Sequence, residues 1–187
     1  SIDGDTIVIG SFKDDDPFDS GSAYVFTRDT AGDLTSGWTQ VAKLTAGDGA
    51  ASDEFGSSVS IDGDTIVIGA YQDDDKGGNS GSAYVFTRDT AGDLTSGWTQ
   101  VAKLTAGDGA ASDEFGSSVS IDGDTIVIGS FKDDDPFDSG SAYVFTRDTA
   151  GDLTSGWTQV AKLTAGDGAA SDEFGSSVSI DGDTIVI

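Results

Sequence analysis

The stretch FGSSVSIDGDTIVI, residues 115–128, divides into two short runs around Asp122-Gly123-Asp124. Thr125–Ile128 is β-branched throughout, Phe115–Ile121 mixes small and apolar residues, and an Asp-Gly pair between such runs is a hairpin signal. We label the two runs strands A and B. Working outward, an acidic loop leads to Ser141–Thr146, rich in aromatic and β-branched residues, and the turn TAGDLTSG leads to Trp157–Leu163. These read as strands C and D. Gly, Asp, Ser and Thr interrupt every segment long enough for three helical turns, and no apolar stripe of period 3.6 survives, so helices are not expected.

The same four-strand sentence is written three times. Residues 1–59 recur unchanged at 120–178, residues 60–119 differ from them in one loop only, and residues 179–187 begin a further copy. A fixed period of this length marks a repeat architecture in which copies bury one another. The chain starts and stops inside a repeat, as a segment of a longer array would.

Strands B and C are apolar on both faces, which suits a sheet covered on each side by its neighbour, the arrangement of a propeller blade. Small residues on strand A (Gly116, Ser117, Ser118, Ser120) suit a crowded axis, and Gln159 and Lys162 on strand D suit an outer edge that must resist pairing. The expected fold is therefore all-β, with tandem four-stranded antiparallel blades, about three in number, forming part of a larger propeller or repeat assembly. A solenoid or a string of small sandwiches is the alternative from the same strands. Tyr24, Tyr84 and Tyr143, with Phe26, Phe86 and Phe145, read as blade-to-blade core. Trp38, Trp98 and Trp157, which open strand D, are expected to pack on the adjacent blade; the other use of such a Trp is as a carbohydrate-stacking platform.

Phe55-Gly56-Ser57-Ser58-Val59 followed by Ile66-Val67-Ile68-Gly69-Ala70 resembles the FG-GAP repeat, the blade unit of integrin alpha-chain propellers and of many extracellular repeat proteins. The resemblance covers every copy. It implies blade boundaries at 1–54 (strands B to D of a partial blade), 55–114 and 115–173 (complete blades) and 174–187 (strands A and B of another). The integrin type places a calcium loop between strands A and B. Here that position holds only Ile61-Asp62-Gly63-Asp64-Thr65, too short for a cage of six to eight oxygens, and a plain hairpin turn is expected.

Charge excludes several functions. Lys plus Arg number 9 against 34 Asp plus Glu, a net charge of −25, so nucleic acid would be repelled. The absence of Cys and His removes thiolate chemistry, disulfides, Cys-based zinc sites and the commonest general base. There is no apolar run of membrane-spanning length. Identical copies present identical residues around an assembly, whereas an active site needs residues with different tasks at one place, so no catalytic residue is assigned and the chain is not expected to be an enzyme.

The acidic B–C loop is the candidate metal site. Asp14, Asp16 and Asp19 in the first copy and Asp133, Asp135 and Asp138 in the third are spaced i, i+2, i+5, and Asp73, Asp75 and Asn79 are their counterparts in the second. A curled loop could converge these oxygens on calcium; the alternative is a solvated loop whose Asp side chains cap turns. The turns at Asp89–Asp93 and Gly107–Glu114 are explained by turn chemistry alone.

Near-perfect repetition points to a non-enzymatic structural protein, extracellular or at the cell surface, whose blades self-associate with further copies or chains into a filament, fibre or matrix. The alternative is an integrin-like propeller module for adhesion, with one loop face taking a protein or glycan ligand. A consensus-designed repeat would also show this identity.

Overall fold

The computed structural model describes residues 1–14, 19–133 and 138–187. Its regular elements are all strands: β1 (Ile2–Asp3), β2 (Thr6–Ser11), β3 (Ser22–Arg28), β4 (Trp38–Leu44), β5 (Ser58–Asp62), β6 (Thr65–Ala70), β7 (Ser82–Arg88), β8 (Trp98–Leu104), β9 (Phe115–Asp122), β10 (Thr125–Ser130), β11 (Ser141–Arg147), β12 (Trp157–Leu163), β13 (Ser179–Asp181) and β14 (Thr184–Val186). They form three four-stranded sheets, β1-β2-β3-β4, β5-β6-β7-β8 and β9-β10-β11-β12, and the two-stranded sheet β13-β14. Every pairing within them is antiparallel between sequence neighbours, as short hairpin connections require. These are propeller-type blades in tandem, three with four strands and a small fourth, and the sheets do not close into one. The first blade carries the two-residue β1 in addition to its strands B to D.

Register explains why both faces must be covered. β6 pairs with β7 from Thr65↔Thr87 to Ala70↔Ser82, and every residue of both strands is buried. Because side chains alternate across the sheet, one face of the second blade carries Ile66, Ile68, Tyr84 and Phe86 and the other carries Val67, Ala83 and Val85. The first set packs against Val8, Ala23, Val25 and Leu44 of the first blade. The second set packs against Ile126, Ile128, Tyr143 and Phe145 of the third. The apolar core therefore lies between blades rather than within them.

Phe115 is the residue that joins two blades. Fully buried, it meets Tyr143 and Phe145 edge-on at centroid distances of 5.5 and 6.0 Å. Its amide donates to the carbonyl of Ser80 in the preceding blade. Phe55 repeats this with Tyr84 at 5.4 Å and Phe86 at 6.0 Å. The glycine facing this entry turn is forced by backbone contact: a Cβ placed on Gly69 would lie 1.9 Å from the carbonyl oxygen of Gly116 in the next blade. Gly116 itself has φ +91°, a left-handed conformation that favours glycine. The Phe-Gly and Gly-Ala landmarks of the sequence are thus the two sides of one inter-blade seam.

Candidate functional site

Each blade presents two ends, and Asp residues organise both. At the A–B end the Asp-Gly-Asp turn is a tight hairpin with its glycine at φ between +50° and +56° in the first three copies. The first Asp reaches across the seam: Gly63 N–H donates to Asp3 at 2.7 Å, Gly123 N–H to Asp62 at 2.6 Å, and Gly182 N–H to Asp122 at 2.5 Å. The second Asp stays at home. Asp64 accepts from Arg88 Nε at 2.7 Å and from Gly92 N–H at 2.9 Å, and Asp124 does the same for Arg147 and Gly151. Arg88 lies over the Trp98 ring at 4.4 Å and donates to Thr6 of the preceding blade at 3.3 Å. This explains the hairpin turn found where the integrin type has its calcium loop: the carboxylates are already engaged with backbone N–H and guanidinium donors.

The inner edge of strand A needs partners too, since an unpaired edge is a template for aggregation. Ser60 Oγ accepts from Ile121 N–H at 3.2 Å and Ser120 Oγ from Ile180 N–H at 3.2 Å. Ser58 Oγ donates to Gly116 O at 2.8 Å. The serines predicted for a crowded axis therefore also stitch consecutive A strands together.

At the B–C end the first Asp of the acidic loop turns inward. Asp73, only 3% exposed, accepts from Ser82 Oγ at 3.1 Å and Tyr84 Oη at 2.8 Å, and meets Lys103 Nζ at 3.0 Å. Asp48, from the loop that enters the second blade, completes the group through Tyr84 Oη at 3.0 Å and Lys103 Nζ at 2.8 Å. The third blade repeats it with Asp133, Tyr143, Lys162 and Asp108 at 2.6–2.9 Å. In the first blade Asp14 engages Ser22, Tyr24 and Lys43. Burial and then the hydrogen bond to Asp73 push the Tyr84 hydroxyl far above its ordinary range, so it stays a donor. Burial alone would lower Lys103, but Asp48, Asp75 and Asp73 outweigh it and hold the ammonium charged.

Of the other predicted metal ligands, Asp75 joins Asp73 at the same Lys103 ammonium. Asp75 pairs with Lys103 at 2.5 Å, and the backbone amide of Asn79 donates to Asp74 at 2.8 Å. Asp19, Asn79 and Asp138 occupy left-handed turns at φ 54°, 57° and 58°. Asp16 and Asp135 lie outside the described residues. Among the described residues no group of three or more Asp, Glu, His or Cys gathers into a metal-holding cluster.

Sequence reasoning missed the partners of Tyr84, Lys103 and Gln100. The Tyr84 ring is core, as expected, but its hydroxyl ends in the Asp73 clasp. Strand D polar residues do more than blunt an edge: Gln100 Oε1 accepts from Gly47 N–H at 2.9 Å and Gln159 Oε1 from Gly107 N–H at 2.8 Å, each across a seam. The recurrence of Lys, Gln and Tyr at fixed offsets from Asp was the available signal. Trp98 and Trp157 pack on the seam clusters, as predicted.

Blades of this strand order, with Phe-Gly entry and glycine-on-glycine seams, define a propeller-type repeat. A family model described as the FG-GAP repeat matches residues 1–26, 38–86, 98–145 and 157–187, and the chain belongs to that family. The unmatched residues 27–37, 87–97 and 146–156 hold the last two residues of strand C and the C–D turn, so each internal match runs from strand D through the seam into strand C of the next blade. No curated protein matches the chain significantly in sequence.

Proposed function

We propose that the chain is a non-enzymatic structural array, extracellular or at the cell surface, in which FG-GAP blades self-associate with further copies into a filament, fibre or matrix. The observation that carries this reading is the equivalence of the seams. Gly69 against Gly116 and Gly129 against Gly175, Asp62 to Gly123 and Asp122 to Gly182, Tyr84 to Asp48 and Tyr143 to Asp108 are the same contacts made twice. A head-to-tail contact that repeats without change propagates for as long as blades are supplied, giving a ring or an open polymer according to whether the rotation closes. Negative-stain electron microscopy of the purified chain tests the idea. Long particles with a regular axial repeat support it, and uniform single globules at high concentration refute it.

The second reading is an integrin-like adhesion module with a protein or glycan ligand. It is favoured by the confinement of sequence variation to the B–C loops. Calcium at those loops fits either reading. An ion there would compete with Lys43, Lys103 and Lys162 for Asp14, Asp73 and Asp133. If EDTA leaves the melting curve unmoved at fixed ionic strength, calcium has no structural part.

A further inference from the structure

A cavity of about 710 Å³ opens between the Phe-Gly entry turns and the B–C loops, within the range of small-ligand sites. Aromatic rings of Phe12, Tyr71 and Phe131 line it, together with the carboxylates of Glu54 and Glu114. These two glutamates are only 8% and 7% exposed. Both hold φ 55°, a left-handed conformation uncommon for a residue with a side chain, so their direction is fixed by the turn that leads into Phe-Gly.

The two carboxylates are treated differently. Beside Glu114 the chain supplies its own cation, with Lys132 Nζ at 2.5 Å. The residue corresponding to Lys132 in the second copy is Gln72, and in the first copy it is Lys13. Glu54 accepts instead from the Tyr71 hydroxyl at 2.6 Å, which in turn accepts from Gln72 Nε2 at 2.9 Å. Burial and then Glu54 itself push that hydroxyl upward, so it stays a neutral donor. Tyr71 thus gives Glu54 a hydrogen bond but no positive charge, where Glu114 has the Lys132 ammonium. Copies that are otherwise identical differ only in this loop, and two of the changed residues, Tyr71 and Gln72, line the cavity.

We propose that Glu54 and Tyr71 form a receptor for the ammonium of a lysine side chain carried on an extended segment of a partner protein. The incoming ammonium takes the role beside Glu54 that Lys132 plays beside Glu114. The aromatic rings offer cover to its aliphatic stem and a cation–π face to its head. The net charge of −25 steers basic segments toward this surface. The site does not depend on whether blades polymerise, because its residues come from the B–C loops and entry turns of the chain itself.

The test titrates the full chain with the blocked peptide acetyl-Gly-Ser-Lys-Ser-Gly-amide at physiological ionic strength, following the backbone amides of Tyr71 and Gln72 by two-dimensional NMR. Expected are saturable shifts at those residues, no shifts with norleucine in place of lysine, and at least tenfold weaker binding by Gln72→Lys, about 1.4 kcal/mol. That variant introduces the residue that the other two copies carry at this one position, and a thermal melt matching wild type shows that its blade stays folded. Equal affinity of wild type and Gln72→Lys would overturn the proposal, since diffuse charge attraction alone would then account for binding. Absence of saturable shifts would overturn it as well, and so would binding of neutral maltohexaose at Tyr71 in place of the peptide.

Discussion

The two ends of a blade use the same residue types and differ in what they allow to change. At the A–B end, Asp62 and Gly63 are tied to neighbouring turns through Gly123 and Asp3, and the sequence there is identical in every copy. At the B–C end the first Asp is equally tied, to Tyr84 and Lys103, but the residues around it vary between Lys-Asp-Asp-Asp-Pro-Phe-Asp and Gln-Asp-Asp-Asp-Lys-Gly-Gly-Asn. A residue that contacts the next copy of itself cannot change without changing every seam. A residue that faces a cavity can, and the comparison separates the part of the chain that builds the array from the part free to distinguish one copy from another.

The sharpest way to break the seam is to add one methyl group to it. Gly69→Ala places a Cβ 1.9 Å from the Gly116 carbonyl oxygen, a backbone atom that moves only if the blades part. A loss of at least about 3 kcal/mol is expected, at the upper end of overpacking effects. Gly92→Ala is the control: its φ is +72°, and nothing lies within 4 Å of the added atom. Its cost is that of the left-handed backbone alone, about 1 kcal/mol. Urea denaturation of both variants checks the difference, and equal midpoints would mean that the seam does not carry stability.

Strand order, blade repetition and the blade-to-blade placement of Tyr84, Phe86 and Phe145 were legible because β-branched and aromatic runs and tight turns are local features. The seam was legible only in part. Phe-Gly and Gly-Ala stood out, but that Gly69 abuts Gly116 is a contact between residues 47 positions apart, which no local pattern encodes. In the sequence the acidic loop is a run of like charges that could gather an ion. Its first Asp instead meets Lys103 from strand D, which also holds Asp48 from the preceding loop, a meeting fixed by the β7–β8 register that sets Tyr84 opposite Lys103. Charge pairing across strands requires register, and register follows from the fold.

The clasp at the B–C end gives a second, smaller contrast. Lys103→Met leaves Asp73 buried without its cation, whereas Lys43→Met removes a lysine whose side chain is 41% exposed in the first blade. Breaking a buried pair from one side costs about 2 kcal/mol or more once partial exposure of the lysine is allowed for, and an exposed pair costs under about 1 kcal/mol. Thermal melts of the two variants should therefore separate. Coincident curves would show that Asp48, reaching over from the preceding blade, adds nothing to the second-blade clasp.

Acid should loosen the clasp before it reaches the apolar seam. Burial would raise Asp48, but the hydrogen bonds from Lys103 and Tyr84 outweigh it and hold its carboxyl below the ordinary 3.8, and Lys162 and Tyr143 do the same for Asp108. A carboxyl depressed in the folded state stabilises fully above its unfolded value, and that stability is lost as pH falls through the lower folded value. Asp53 works in the opposite sense: burial raises it, so acid relieves a cost. Protonation of the many other carboxylates also relieves self-repulsion as pH approaches 4, and the loss is isolated by comparing wild type with Asp48→Asn rather than by one curve. With its side chain 52% exposed, Asp48 contributes under about 1 kcal/mol at neutral pH. Melting temperatures of the two proteins should differ slightly near neutrality and converge below about pH 4. Parallel curves across that range would mean that Asp48 acts on the seam through shape and hydrogen bonding, with its charge irrelevant.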